Sequence, residues 1–113
     1  MRILVTGCFG FIGSAFCRML LRTTEHNITL FGRCSDKKNE LRLAVLNNIH
    51  EPSSFKILYG DLTGDISGLL EGIDVVVNFA AKTFVDHSIK DPSAFIQNNI
   101  VGTYNLLEQA RLY

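Results

Sequence analysis

Gly7, Gly10 and Gly13 follow one another at intervals of three within Thr6-Gly7-Cys8-Phe9-Gly10-Phe11-Ile12-Gly13. The chemistry such a pattern can do is anion binding by main-chain N–H groups at the start of a helix. Gly7 would make the tight turn, Gly10 would let backbone approach a pyrophosphate, and Gly13 would allow close contact between helix and sheet. The first turn after the loop holds no Asp or Glu to compete for the positive end of the helix dipole, so the pattern predicts a dinucleotide site. A flexible turn is the alternative. The residue that reads the adenosine ribose stands about 20 positions further on, an acid for a 2′-hydroxyl or an arginine for a 2′-phosphate. Here the stretch is Gly32-Arg33-Cys34-Ser35, with Asp36 displaced beyond it. Arg33 is either a ribose-end contact or a solvated loop residue. Asp61 could accept from an adenine amino group or cap a short helix, and Ala80-Ala81 leaves room for a flat ligand.

These residues need elements to position them. Arg2 to Thr6 is a continuous apolar run, as a strand buried on both faces requires. Ile12, Ala15, Phe16, Met19 and Leu20 then form one helical stripe. Further strands are predicted over His26 to Phe31, Phe55 to Tyr59 and Ile73 to Phe79. Helices are predicted over Ser35 to Ile49 and Asp65 to Glu71. A long one starts with Asp91 as N-cap and Pro92 at the first position. Ile96, Ile100, Thr103, Leu107 and Ala110 are its expected inner face, and Gly102 implies close packing. Strand and helix alternate four times. The fold class is therefore α/β, a Rossmann-like, three-layer, doubly wound parallel sheet in the order 3-2-1-4, and incomplete.

The 113 residues carry 11 basic and 11 acidic side chains, so no net field favours nucleic acid or an anionic membrane. No apolar run approaches the length of a membrane span, and the expectation is a soluble, cytoplasmic protein. Cys8, Cys17 and Cys34 show no zinc or redox spacing, and His87 has no neighbouring ligands, so no metal is expected. Reduced structural thiols are the reading, although Cys8 lies near a helix N-terminus where a thiolate could be stabilised. Strand 4 would be an edge displaying Val75-Val76-Val77, which predicts a homodimer or edge-strand association.

The glycine motif resembles that of the extended short-chain dehydrogenase/reductases, the NAD-dependent epimerases and dehydratases of nucleotide sugars. The block from Asn78 to Ile89, with Asp91-Pro92 and Phe95 to Thr103, resembles the dTDP-glucose 4,6-dehydratases within them. The resemblance implies NAD as cofactor, a nucleotide sugar as substrate, hydride abstraction at C4, water elimination and hydride return to C6. It implies main-chain contacts to pyrophosphate from Phe11 and Ile12, adenine flanked by Asp61 and Leu62, and a nicotinamide half lined by Phe79, Ala80, Ala81, Lys82 and Thr83. Thr83 would also touch substrate, and Asn98 stands where the family has a cofactor-contacting Thr. Gly32 replaces the family's ribose-binding Asp, which brings in NADP as an alternative; Phe84 and His87 replace a His and an Arg. The family's Tyr-x-x-x-Lys pair is missing, since Tyr59 is followed four positions on by Thr63 and Tyr104 by Glu108. Residues 1–113 are thus expected to be the N-terminal part of a dinucleotide-binding domain, without catalytic residues and inactive alone. An epimerase, a decarboxylase or a non-catalytic nucleotide-binding module is the alternative.

Overall fold

The computed structural model describes residues 1–23, 25–33, 54–81 and 89–113. Strands β1 (Arg2–Thr6), β2 (Asn27–Gly32), β3 (Ser54–Tyr59) and β4 (Val75–Asn78) form one sheet in the order β3-β2-β1-β4. Every pairing is parallel. Helix α1 (Phe11–Thr23) connects β1 to β2. The C-terminal helical segment comprises α2 (Pro92–Phe95), a π-helical stretch (Ile96–Val101) and α3 (Gly102–Leu112). The expected α/β order is borne out; β2 begins one residue later than expected, and β4 is shorter at both ends. The helix expected over Ser35 to Ile49 lies outside the described residues.

The apolar run of β1 alternates between two cores. Ile3 and Val5 pack with Cys17, Leu20 and Leu21 of α1 and with Ile28 and Leu30 of β2. Leu4 packs on the other side with Phe31, Leu62, Ile66, Leu70 and Leu106. A strand covered on both faces has no solvated side, which is why its sequence is continuously apolar.

Three expectations are corrected. Residues 65–71 are turns rather than a helix: the Asp65 carboxylate accepts from the Ser67 amide at 2.9 Å and its hydroxyl at 2.6 Å. Gly68 and Gly72 then adopt left-handed φ of 77° and 76°. A side chain that captures a nearby N–H offers the backbone an alternative to helix, and left-handed residues end one. The buried face of α1 is Gly13, Ser14, Cys17, Leu20 and Leu21, while Ile12 and Met19 point outward. In the C-terminal segment Gly102 and Leu106 are buried, while Ile96, Ile100 and Leu107 are exposed. Both faces are set by the glycine that approaches its neighbour most closely. A Cβ on Gly13 would lie 2.0 Å from the Gly7 oxygen, and one on Gly102 would lie 3.3 Å from Leu62 Cβ. The Asp91 cap is as expected, its carboxylate accepting from the Ala94 amide at 3.4 Å.

Candidate dinucleotide site

Register alone brings the carboxyl ends of the strands to one edge. Thr6 pairs with both Phe31 and Asn78, and Gly32 pairs with Tyr59. The chain leaves the sheet there through Gly7, Gly60 and Phe79, each tied by its amide to the adjacent strand: Gly7 to the Phe31 carbonyl at 3.0 Å, Gly60 to that of Gly32 at 3.1 Å, and Phe79 to that of Thr6 at 3.1 Å. Inside the edge, the buried Thr6 hydroxyl donates to Asn78 Oδ1, which also accepts from the Ala80 amide at 3.2 Å. Such links fix the strand tips before any ligand arrives.

The glycine loop divides its labour among its members. Gly7 has φ 69°, and a Cβ there would fall 2.5 Å from the carbonyl carbon of Phe79, so neither backbone nor space admits a side chain. Its carbonyl accepts from the Gly10 amide at 3.1 Å, and the Ser14 amide closes the first helical bond on Gly10 at 2.9 Å. A Cβ on Gly10, by contrast, would meet only the Gly7 oxygen, at 3.3 Å. Gly10 is therefore the glycine whose open side faces outward. The Gly10 N–H is spent inside the loop, and the amides of Phe11 and Ile12 have no intrahelical acceptor, as in the first turn of any helix. The side chains of Phe11 and Ile12 are exposed.

A cleft of about 370 Å³ opens over this loop. Gly7 and Gly10 form its floor, Gly32, Arg33, Asp61 and Leu62 one end, and Phe79, Ala80, Ala81 and Asn98 the other. Of the residues expected at the site, Gly7, Gly10, Gly32, Arg33, Asp61, Leu62, Phe79, Ala80, Ala81 and Asn98 line this cleft, and Phe11 and Ile12 do not. Gly13 is buried beneath the loop, while Cys34, Ser35, Lys82 and Thr83 lie outside the described residues, as do His87 and Phe84. Phe9, Phe31 and Gly60 were missed. Their signal is an aromatic ring seated on a glycine of the next strand: Cβ atoms on Gly32 and Gly60 would lie 2.7 Å from the Phe9 ring and 2.9 Å from the Phe31 ring. Sequence shows the glycine following each strand but not the ring above it.

Asp61 does not cap a helix. Its Oδ1 accepts from the Thr63 amide at 3.0 Å and hydroxyl at 2.9 Å, an Asx-type turn, and its Oδ2 lies 3.6 Å from Arg33 Nη1. The Thr63 amide is the main influence holding the Asp61 carboxyl below the usual carboxylate range. The turn is anchored from behind, because Asn105 Nδ2 donates to the Leu62 carbonyl at 2.8 Å. Asn98 stands on the π-helical stretch, its Nδ2 donating to the Ala94 carbonyl at 2.8 Å. An extra residue in a helical turn re-aims the side chains around it. Cys8 and Cys17 are fully buried, and burial pushes both thiols up to about 12, which agrees with the reading of both as structural thiols and not with a stabilised thiolate at Cys8. Among the described residues no helix is long and apolar enough to cross a membrane, and no cluster of His, Cys, Asp or Glu could hold a metal ion.

A parallel sheet with a glycine loop after its first strand and a cleft at its carboxyl edge defines a doubly wound nucleotide-binding protein. The chain belongs to the GDP-mannose 4,6-dehydratase family, whose model matches residues 4–113. It is 38% identical, over its full length, to dTDP-glucose 4,6-dehydratase of Salmonella typhimurium and 41% identical to that of Escherichia coli, and covers 32% of each. Among solved structures it resembles the dTDP-glucose 4,6-dehydratase DesIV from Streptomyces venezuelae with NAD bound (TM-score 0.82, 35% identity, 97% of this chain and 35% of that one). A variant of UDP-glucuronic acid 4-epimerase from Bacillus cereus with NAD is equally similar in shape (TM-score 0.82, 34% identity, 96% of this chain and 36% of that one). The chain thus spans about a third of the length of the relatives it matches.

Proposed function

We propose that this chain is the cofactor-binding portion of a nucleotide-sugar 4,6-dehydratase, the N-terminal part of its dinucleotide-binding domain. The observation that carries the reading is the outward-facing Gly10 at the base of a cleft built from the carboxyl ends of all four strands. The glycine contacts supply the fit: the loop backbone is bare on the side where a pyrophosphate would lie, and filled on the side where the helix packs. In this reading Phe11 and Ile12 donate amides to the pyrophosphate, Asp61 and Leu62 flank the adenine, and Phe79, Ala80, Ala81, Lys82 and Thr83 line the nicotinamide half. Asn98, at the same end of the cleft, contacts the cofactor as well. Thr83 also meets the sugar.

NAD is the dinucleotide in the DesIV and Bacillus epimerase structures, and Gly32-Arg33 makes NADP the alternative. When bound it would take a hydride from sugar C4 and return it at C6 after water is lost. The chain's own part is to bind and orient. Proton transfer needs a paired acid and base, and no Tyr in these residues is followed four positions on by Lys, so turnover requires groups from outside this sequence. The epimerase likeness supports a second reading in which the same cleft serves epimerisation at C4. The half-exposed edge strand β4 supports self-association, as a homodimer or through the edge, and the metabolic class of the relatives supports a cytoplasmic location.

The test is titration of NADH fluorescence with Gly10→Val. Gly10 is not among the glycines with positive φ, and its added Cβ would meet only the Gly7 oxygen, at 3.3 Å, so the loop must give by a few tenths of an ångström; with folding verified by circular dichroism, the variant should lose affinity at least about tenfold, which is about 1.4 kcal/mol. Unchanged affinity in a folded variant overturns the site.

A further inference from the structure

Asn is a poor helix former, because its side chain competes for nearby backbone groups, and a polar residue is out of place on the inward face of a helix. Asn105 stands there all the same, one position before the buried Leu106 and three after the buried Gly102. Its amide is committed to a distant partner: Nδ2 donates at 2.8 Å to the carbonyl of Leu62, 43 positions away in the chain. Gly102 meets the same residue, since a Cβ there would lie 3.3 Å from Leu62 Cβ, and Leu106 shares a core with the Leu62 side chain. One helix therefore holds Leu62 by its carbonyl, its Cβ and its side chain.

Leu62 lines the end of the cleft where adenine would lie. Its side chain is buried in the core, so what it offers a ligand is main chain. Main chain in a turn goes where its supports put it. The Asp61 carboxylate bonds to Thr63, and the Asp61 carbonyl accepts from the Gly64 amide at 3.0 Å, but these bonds are local and travel with the turn. The Asn105 amide ties it to a separate element. A part-buried carbonyl deprived of its donor must find another, and the turn moves to do so. The same helical segment carries Asn98, which lines the other end of the cleft.

We propose that Asn105, together with Gly102, is a positioning residue for the cofactor: it sets the depth and angle at which the Leu62 main chain meets adenine, and registers that wall against Asn98 at the opposite end. This rests on the dinucleotide reading of the cleft and adds to it a residue that does not line it. The experiment is competition of AMP and of nicotinamide mononucleotide against NADH fluorescence in the full gene product at pH 8, with circular dichroism to verify folding.

Asn105→Ala should weaken AMP about fivefold, the worth of a neutral hydrogen bond, and nicotinamide mononucleotide less than about twofold. Asn105→Asp, equal in size but ionised and without a donor, should weaken AMP at least as much. Gly102→Ala favours the helix, so it keeps the fold testable even where the Asn105 variants unfold, and it should push Leu62 to give the same selective loss of AMP. Folded variants that hold AMP as tightly as the wild type, or that lose both mononucleotides equally, overturn the proposal and leave the cleft standing. A wild type that binds neither mononucleotide nor NADH removes the cleft reading and the proposal with it.

Discussion

Gly7 and Gly13 are in contact across the phosphate loop, and at either a single methyl group would undo it. A Cβ on Gly13 would be placed 2.0 Å from a backbone oxygen, which cannot swing away as a side chain can. Gly13→Ala should therefore cost about 1–3 kcal/mol of overpacking in urea unfolding and, by tilting α1, abolish dinucleotide binding. A stable, binding-competent variant would show that the helix can slide. The two buried thiols behave in the opposite sense. With folded values near 12, Cys8 and Cys17 stay protonated at neutral pH, and their burial contributes stability below the ordinary thiol range that is lost only as pH rises toward 12. In a Cys34→Ser background neither should react with Ellman's reagent at pH 8 until denaturant is added. The glycines were legible because their spacing is a local property. The Phe9 and Phe31 seats were not, because a ring over a glycine on the next strand depends on register, which no local pattern encodes.

Leu106 and Leu107 are adjacent, yet the C-terminal helix treats them as opposites, one 5% and the other 65% exposed. Leu106→Ala should lower unfolding free energy by about 2–5 kcal/mol, while Leu107→Ala should stay within about 0.5 kcal/mol. Equal losses would restore the face that periodicity predicts. That face failed for a reason shared with α1. Ranking by hydrophobicity passes over Gly13 and Gly102, yet a residue without a side chain is what permits the close approach, of Gly13 to the Gly7 backbone and of Gly102 to the Leu62 side chain. Ile12, Ile96 and Ile100 score higher and stand outside. The strands were easier to read. A buried parallel strand shows as an unbroken apolar run whichever face each residue takes, so β1 matched to the residue, and the errors in β2 and β4 fell at their ends.

The sheet ends on one side in β4, whose Val75 is 38% exposed and whose outer backbone groups have no neighbouring strand among the described residues. An apolar edge of this kind recruits other chains. Sedimentation of the 113-residue chain should show mass rising with concentration, and Val75→Lys should reduce the rise; a monomer at high concentration would contradict this. Acidity bears on the other end of the sheet. Because the folded carboxyl of Asp61 lies below its ordinary value, its contribution is present above the usual carboxylate range and is lost as pH falls through the folded value. The stability gap between wild type and Asp61→Asn should accordingly shrink on acidification, read by thermal melts across a pH series, and a constant gap would remove the ionised Asx turn as its source. The Gly7 carbonyl, finally, touches the Gly10 amide on one side and the back of Gly13 on the other. This makes the segment a gauge of length more than of composition. Side chains at 8, 9, 11 and 12 can be exchanged without altering the count, but one inserted residue would turn the following helix by about 100° and roll Cys17 and Leu21 out into water.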